Sequence, residues 1–191
     1  MRALVPVLGG NEAMQAIRKL FAPRAAVEAG RRLFHAAAVQ ARQPALYLGG
    51  GVPDTPEGRF ELYSLHLILV MHRLKGQGSE AAEVSQALFE AYRLSLDDTL
   101  REMGVGDLSV GKKMRKLFEA FYGRVKSYDA ALAGLPDREP LTALITRTAL
   151  AGAPAGDPAA LAAYVVASVD ALAAQPLDEV RDAKLAWPAY V

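Results

Sequence analysis

The segment of this chain that most resembles a catalytic motif is the run from Gly106 to Lys113. It matches the glycine and lysine spacing of a phosphate-binding loop up to the last position. A loop of that kind follows a buried strand and ends on a Ser or Thr hydroxyl that binds magnesium. Here Lys113 occupies the hydroxyl position, and the residues before Gly106 have the periodicity of a helix. We therefore interpret the segment as the start of a helix and not as a nucleotide site.

The other residue types that carry chemistry are scarce or badly spaced. The chain has no cysteine, which excludes disulfides, cysteine-ligated zinc and a cysteine nucleophile. His66 and His72 are six residues apart, whereas two ligands on one helix face stand three or four apart, and His35 is remote. Asp97 and Asp98 are adjacent and so diverge on a helix.

These observations predict a protein that is not an enzyme, with no catalytic residue, no metal site, no cofactor and no small-molecule substrate. We interpret His66, which lies in an apolar helical stretch, as an interior histidine with hydrogen-bond partners, because buried polar groups are usually paired.

Charge is sorted along the chain although its sum is small. The 191 residues carry a net charge of +1, which gives no reason to predict specific DNA binding. Residues 76–102 contain two basic and six acidic side chains, whereas residues 103–126 contain six basic and two acidic ones. Four of these cations crowd the first turns of a predicted helix, namely Lys112, Lys113, Arg115 and Lys116.

This basic cluster is unfavourable on its own, since an exposed cation near the amino end of a helix costs about 0.3–1 kcal/mol. Either Asp107 and the acidic segment 80–102 neutralise the cluster through salt bridges, or the cluster forms an open positive patch beside exposed apolar surface. The second alternative leads to the hypothesis that the patch holds the protein at a membrane or ribosome surface. The sequence leaves both alternatives open.

Helical periodicity and abundant Ala and Leu predict an all-α fold. We expect one domain over residues 1–191, built as a bundle of about seven to eight helices with one long central amphipathic helix. The helices are predicted over residues 11–21, 24–43, 56–75, 79–103, 109–133, 141–150 and 159–174, with a short one after Pro176. Pro23 is expected to separate the first two, and Ser79 is expected to cap the helix at 79–103. Met71, Met103 and Met114 are candidates for a pliable groove lining, but their positions on apolar stripes favour the core.

A glycine-rich and proline-rich loop precedes the helix predicted at 56–75. Thr55 is placed to cap that helix, with Pro56 as its first residue. Asp54 and Arg59 are close enough in sequence to form a fixed ion pair that organises the wall of a groove. We expect this loop to have mainly a scaffold role.

No stretch of the chain predicts a membrane span. The apolar stretches 62–71 and 159–169 are each about half of the roughly 20 residues that a helix needs to cross a bilayer. The apolar residues 3–8 are too few for a signal peptide. We expect a protein that faces the cytoplasm, free or peripheral on the inner face of the cytoplasmic membrane.

Two long motifs occur in order along the chain. The first reads Gly51-Val-Pro-Asp-Thr-Pro-Glu-Gly-Arg-Phe60, and the second runs from Leu100 through Gly-Lys-Lys-Met-Arg to Lys116. With Phe121-Tyr-Gly-Arg124 they resemble the signatures of the ubiquinol–cytochrome c chaperone family. The resemblance covers about residues 30–150 and leaves residues 151–191 as a helical extension.

The resemblance implies a helical chaperone that binds newly made cytochrome b, or another complex III subunit, and supports assembly of the ubiquinol–cytochrome c reductase. Without a transit peptide, a bacterial member is expected. The alternative interpretation is a peripheral membrane or ribosome-associated adaptor for a different client. The motif positions that the resemblance suggests for client or partner binding are Val52, Pro53, Asp54, Arg59, Phe60, Asp107, Lys112, Lys113, Arg115 and Lys116.

Overall fold

The computed structural model of the chain describes the backbone of residues 10–153 and 155–190, and side chains in those ranges from residue 24 onward. The regular secondary structure in these ranges is entirely α-helical, which confirms the predicted all-α fold class. There are eight of them, namely α1 Gly10–Ala41, α2 Pro44–Leu48, α3 Pro56–Leu74, α4 Ser79–Glu102, α5 Asp107–Ala133, α6 Glu139–Arg147, α7 Pro158–Ala174 and α8 Leu177–Arg181.

The predicted break at Pro23 is wrong, because α1 is continuous from Gly10 to Ala41. A proline lacks one backbone donor, and the 32-residue helix continues despite that loss. Farther along, α1 approaches α4 closely at Gly30, where an added Cβ would lie 2.5 Å from the backbone carbon of Ala87. The apolar residues 3–8 lie outside the described residues.

Smaller differences concern the starts of α4 and α5. Ser79 is the first residue of α4 and does not cap it; the N-cap is Gly78, whose φ of 94° suits a glycine. α5 begins at Asp107, two residues before the predicted Ser109, because the Val110 N–H already donates to the carbonyl oxygen of Gly106 at 3.2 Å.

α3 is the buried centre of the helices. It begins as predicted, since the Thr55 hydroxyl accepts a hydrogen bond from the Gly58 N–H at 3.1 Å and Pro56 follows the cap. Every residue from Leu62 to Val70 except Tyr63 is buried. α3 contacts α1, α4, α5 and α7, which accounts for its apolar character on nearly all faces.

The chain after α8 folds back over this core without regular secondary structure. The Trp187 ring stands edge-on to His66 at 5.1 Å, and Tyr190 meets Tyr164 at 5.8 Å. Gln175 holds the segment with its side-chain amide, which donates to the Lys184 carbonyl at 2.7 Å and accepts from the Ala186 N–H at 2.8 Å. Residues 182–190 therefore help to cover the core.

The far end of the α4–α5 hairpin has little share in that core. Residues 93–120 are called the arm here. No α4 residue after Tyr92 is buried, and the two buried residues of α5 before Phe121 lie outside the main core cluster. The rings of Tyr92 and Phe121, 5.4 Å apart, mark where the arm leaves the core. The arm therefore contributes few buried side chains to the main core.

Candidate functional site

An apolar groove of about 650 Å³ lies between the end of α1, the start of α3 and the α4 side of the arm. Its apolar lining combines aromatic rings with aliphatic side chains, most of them only partly covered. These residues are Phe34, Phe60, Tyr63, Tyr92, Leu96 and Met103. The groove is therefore suited to hold apolar side chains of another molecule.

An ion pair forms one rim of the groove, as the sequence predicted. The Arg59 guanidinium donates from Nε to Asp54 Oδ1 at 2.6 Å and from Nη2 to Oδ2 at 3.1 Å. These hydrogen bonds from Arg59 hold the pKa of the Asp54 carboxyl below its usual range. Arg42, which also lines the groove, donates a hydrogen bond to the Tyr63 hydroxyl. The rim thus carries fixed, oriented charges beside an apolar interior.

The first motif contributes to the groove through some of its residues only. Asp54, Arg59 and Phe60 line it, whereas Val52 is 2 % exposed and belongs to the core. Pro53 is partly covered, and its carbonyl oxygen would lie 2.0 Å from a Cβ added to Gly58. Val52 and Pro53 therefore shape the loop that presents the other three.

The second motif places its cations away from the groove, on the exposed side of α5. Lys112, Lys113, Arg115 and Lys116 are all exposed, and none forms a salt bridge with a side chain that the structure describes. Of the two alternatives for the basic cluster, the structure contains the open patch in this part of the chain.

Asp107 does not neutralise the basic cluster because it is engaged elsewhere. It pairs with Arg101, which also holds Asp97 at 2.7 Å. The neighbouring Leu108 is fully exposed. The positive patch therefore stands beside exposed apolar surface, and the two paired acids of the arm, Asp97 and Asp107, are both held by Arg101.

The end of α4 lines the groove, where the sequence favoured core packing over a groove lining. Met103 was interpreted as a core residue, yet it is 60 % exposed and lines the groove together with Leu96 and Thr99. The available signal was its position after the last buried turn of α4, directly before Gly104. The α4 side of the arm thus carries a groove wall, and the α5 side carries the basic cluster.

A second cavity of about 410 Å³ lies between α3, α4 and α5 and includes Met71, Phe89 and Tyr122. At its edge Asp129 accepts from Lys75 at 2.7 Å and lies 3.4 Å from a ring nitrogen of His72. Burial raises the pKa of Asp129, but these hydrogen bonds outweigh burial and the pKa is lowered. The described residues contain no group of three or more potential metal ligands.

His66 is fully buried, and both of its ring nitrogens have hydrogen-bond partners, as predicted for an interior histidine. Its Nδ1 lies 2.8 Å from the carbonyl oxygen of Leu62, which only accepts, so Nδ1 carries the proton. Its Nε2 then accepts from the Tyr164 hydroxyl at 2.8 Å, and that hydroxyl accepts from Gln40 at 3.0 Å. Burial lowers the pKa of His66 to about 4. The network is complete with a neutral imidazole.

The run from Gly106 to Lys113, which resembles a phosphate-binding loop in sequence, is the start of a helix, as predicted. α4 precedes it, and α5 begins at Asp107, so most of Gly106 to Lys113 is helical. Within the ranges that the structure describes, no helix combines the length and the apolar composition needed to cross a bilayer.

Comparison with known proteins identifies relatives that include both the groove and the arm. The model of the family described as "Ubiquinol-cytochrome C chaperone" matches residues 49–187. The match contains both motifs, α3 and the arm. It also contains residues 151–187, which the sequence analysis had placed beyond the family-like part.

Among solved structures, the crystal structure of the Cbp3 homolog from Brucella abortus aligns with a TM-score of 0.78 at 33% sequence identity. The alignment covers 93% of this chain and 97% of that chain. No curated protein matches this chain.

Proposed function

Because this chain belongs to the ubiquinol–cytochrome c chaperone family, we propose that it binds newly made cytochrome b and supports assembly of the ubiquinol–cytochrome c reductase. The single observation that carries the client-binding part is the apolar groove between α1, α3 and the arm. Cytochrome b is a membrane protein, so its apolar helices need cover until they are inserted.

The groove has the properties that such a client requires. An amphipathic or apolar helix is bound by a hydrophobic groove that accepts several side chains along one face. Aromatic rings such as Phe60 supply contact area, and the flexible Met103 adapts to different side chains. Arg42 and the pair of Asp54 with Arg59 offer polar contacts at the rim, where a client helix ends.

The proposed role is binding and not catalysis. The carboxylate at the groove, Asp54, is held ionised by Arg59 and is therefore a poor proton donor. The buried His66 is enclosed by Leu62, Tyr164 and Trp187 and lies away from the groove lining. An assembly chaperone needs neither group for chemistry.

Photo-crosslinking from the arm in cells tests the proposal. A photoreactive side chain at position 103 is expected to capture cytochrome b, because Met103 lines the groove. The same group at Leu94, which is also exposed on α4 but does not line the groove, is the matched control and should not capture it. Met103→Lys should reduce the cytochrome b that co-purifies with the chain about tenfold or more, whereas Leu94→Lys should leave it unchanged.

Deletion of the gene tests the assembly role. The heme absorbance of cytochrome b and the ubiquinol–cytochrome c reductase activity of isolated membranes are both expected to fall. Normal values for both, together with crosslinks from position 103 to a different protein, would overturn the cytochrome b proposal and favour the adaptor for another client.

A further inference from the structure

The basic cluster is a surface that the proposed client groove does not use. We propose that this face of the arm, formed by Leu108 and the four cations that follow it, docks on an anionic lipid bilayer. The inference goes beyond the proposed function, because it concerns the exposed side of α5 and not the groove wall on α4.

The helical spacing collects the relevant side chains on one face. Leu108, Lys112 and Arg115 stand at positions i, i+4 and i+7 of α5, so they form one stripe, and Lys116 flanks it. Val110 and Met114, which lie on the opposite side, are buried. Lys113 lies at the edge of this stripe, about 100° around the helix from Lys112. The exposed face therefore has an apolar tip followed by cations.

Charge on this strip is left uncompensated by the acidic residues of the arm. Asp97 and Asp107 are both engaged by Arg101, and the other acids before the turn belong to α4. Glu119 continues the stripe one turn after Arg115, and it forms no salt bridge with a side chain that the structure describes. A strip of this kind is electrostatically complementary to the phosphate layer of an anionic bilayer, which attracts each nearby Lys or Arg.

The apolar tip favours a bilayer over nucleic acid as the partner. Leu108 is fully exposed, and exposure of a whole leucine side chain is unfavourable in water. At a bilayer the leucine enters the acyl boundary while flexible lysine stems keep their charges among the headgroups. Single-stranded RNA is bound through aromatic platforms, and residues 107–116 contain no aromatic side chain.

Docking in this way would set the groove beside the membrane. Met103 lines the groove and lies five residues before Leu108, within the same arm. This placement of the groove rests on the proposed function, since a groove at the membrane suits a client that must enter the membrane. The docking itself does not depend on the identity of the client.

Vesicle co-sedimentation of the full chain tests the inference. Vesicles of phosphatidylcholine with phosphatidylglycerol are compared with phosphatidylcholine alone over a series of salt concentrations. We expect binding only to the anionic vesicles, weakening as salt rises. Changing Lys112, Lys113, Arg115 and Lys116 to Gln should lower the partition coefficient about a hundredfold or more, and Leu108→Ser should lower it about fivefold to tenfold.

The matched control removes the same number of charges elsewhere. Arg24, Arg31, Arg138 and Arg147 are exposed and lie on α1 and at α6, so their change to Gln should leave vesicle binding within about twofold. Thermal unfolding of each variant shows that it is folded.

Three results would overturn the inference. The first is failure of the wild-type chain to bind anionic vesicles at low salt. The second is an equal loss of binding in both quadruple variants. The third is binding to purified ribosomes that depends on the basic cluster, without binding to vesicles. None of these results bears on the crosslinks from position 103, so failure of the docking proposal and failure of the client proposal are distinguishable.

Discussion

The core around His66 and the arm differ in how many of their polar and apolar side chains have partners within the chain. In the core, both ring nitrogens of His66 have partners and Tyr164 joins the network with Gln40. In the arm, Leu108 is fully exposed and the four cations after it have no described salt-bridge partner. The His66 network pairs its polar atoms internally, whereas the arm leaves exposed groups that are available to another molecule.

This comparison separates residues that hold the fold from residues available for binding. Substitutions in the core are expected to change the free energy of unfolding, and substitutions on the arm are expected to change binding with little effect on stability. Variants at three buried or partly buried positions, two of them matched by an exposed counterpart, test this separation.

The largest difference in the free energy of unfolding is expected between substitutions of a buried leucine, Leu65, and an exposed one, Leu108. Leu65 in α3 is fully buried, so Leu65→Ala should lower the free energy of unfolding by about 2–5 kcal/mol through lost burial and a cavity. Leu108→Ala should change it by less than about 0.5 kcal/mol. Denaturant titration of both variants measures the difference, and similar losses would show that the arm is part of the cooperative core.

The second effect concerns pH. The folded pKa of His66 is about 4, below its ordinary value of 6.5, so the unfolded chain binds more protons in between. Stability from the neutral imidazole is complete above about pH 6.5 and is lost as the pH falls toward 4. The expected loss from this group between pH 7 and pH 4 is about 3 kcal/mol.

Measuring the free energy of unfolding against pH in wild type and in His66→Gln separates the contribution of His66 from that of the carboxylates. The variant should lose the His66 share of the slope between pH 6.5 and 4. Equal slopes in wild type and His66→Gln would contradict the interpretation of the network as a neutral one.

The smallest effect is expected for two arginine–carboxylate pairs of the same geometry. Arg124 donates two hydrogen bonds to Glu61, which is 12 % exposed, so Arg124→Gln leaves a mostly buried carboxylate and should cost about 1–2 kcal/mol. Arg59→Gln breaks the solvent-exposed pair with Asp54 and should leave the free energy of unfolding nearly unchanged, because water screens exposed ion pairs. Thermal or chemical unfolding compares the two, and a larger loss for Arg59→Gln would assign the rim pair to the fold.

Local features of the fold were predictable, and features that depend on distant neighbours were less so. The cap at Thr55 and the apolar α3 follow from residue order, because both depend on residues within a few positions. The break at Pro23 was predicted from a local rule, and the long α1 does not obey it. Core packing was favoured for Met103 from its position on an apolar stripe, but Met103 is 60 % exposed at the end of α4.

By itself, the sequence determined the helices, the capped loop, the sorting of charge and the two motifs, since these depend on residue type and spacing along the chain. Only the tertiary structure decided which charges remain free and which apolar side chains line a groove. Arg101 engages Asp107 and leaves the basic cluster open, and α1, α3 and the arm together enclose the groove. The physical reason is that pairing and burial depend on distances between residues far apart in sequence, which local patterns do not contain.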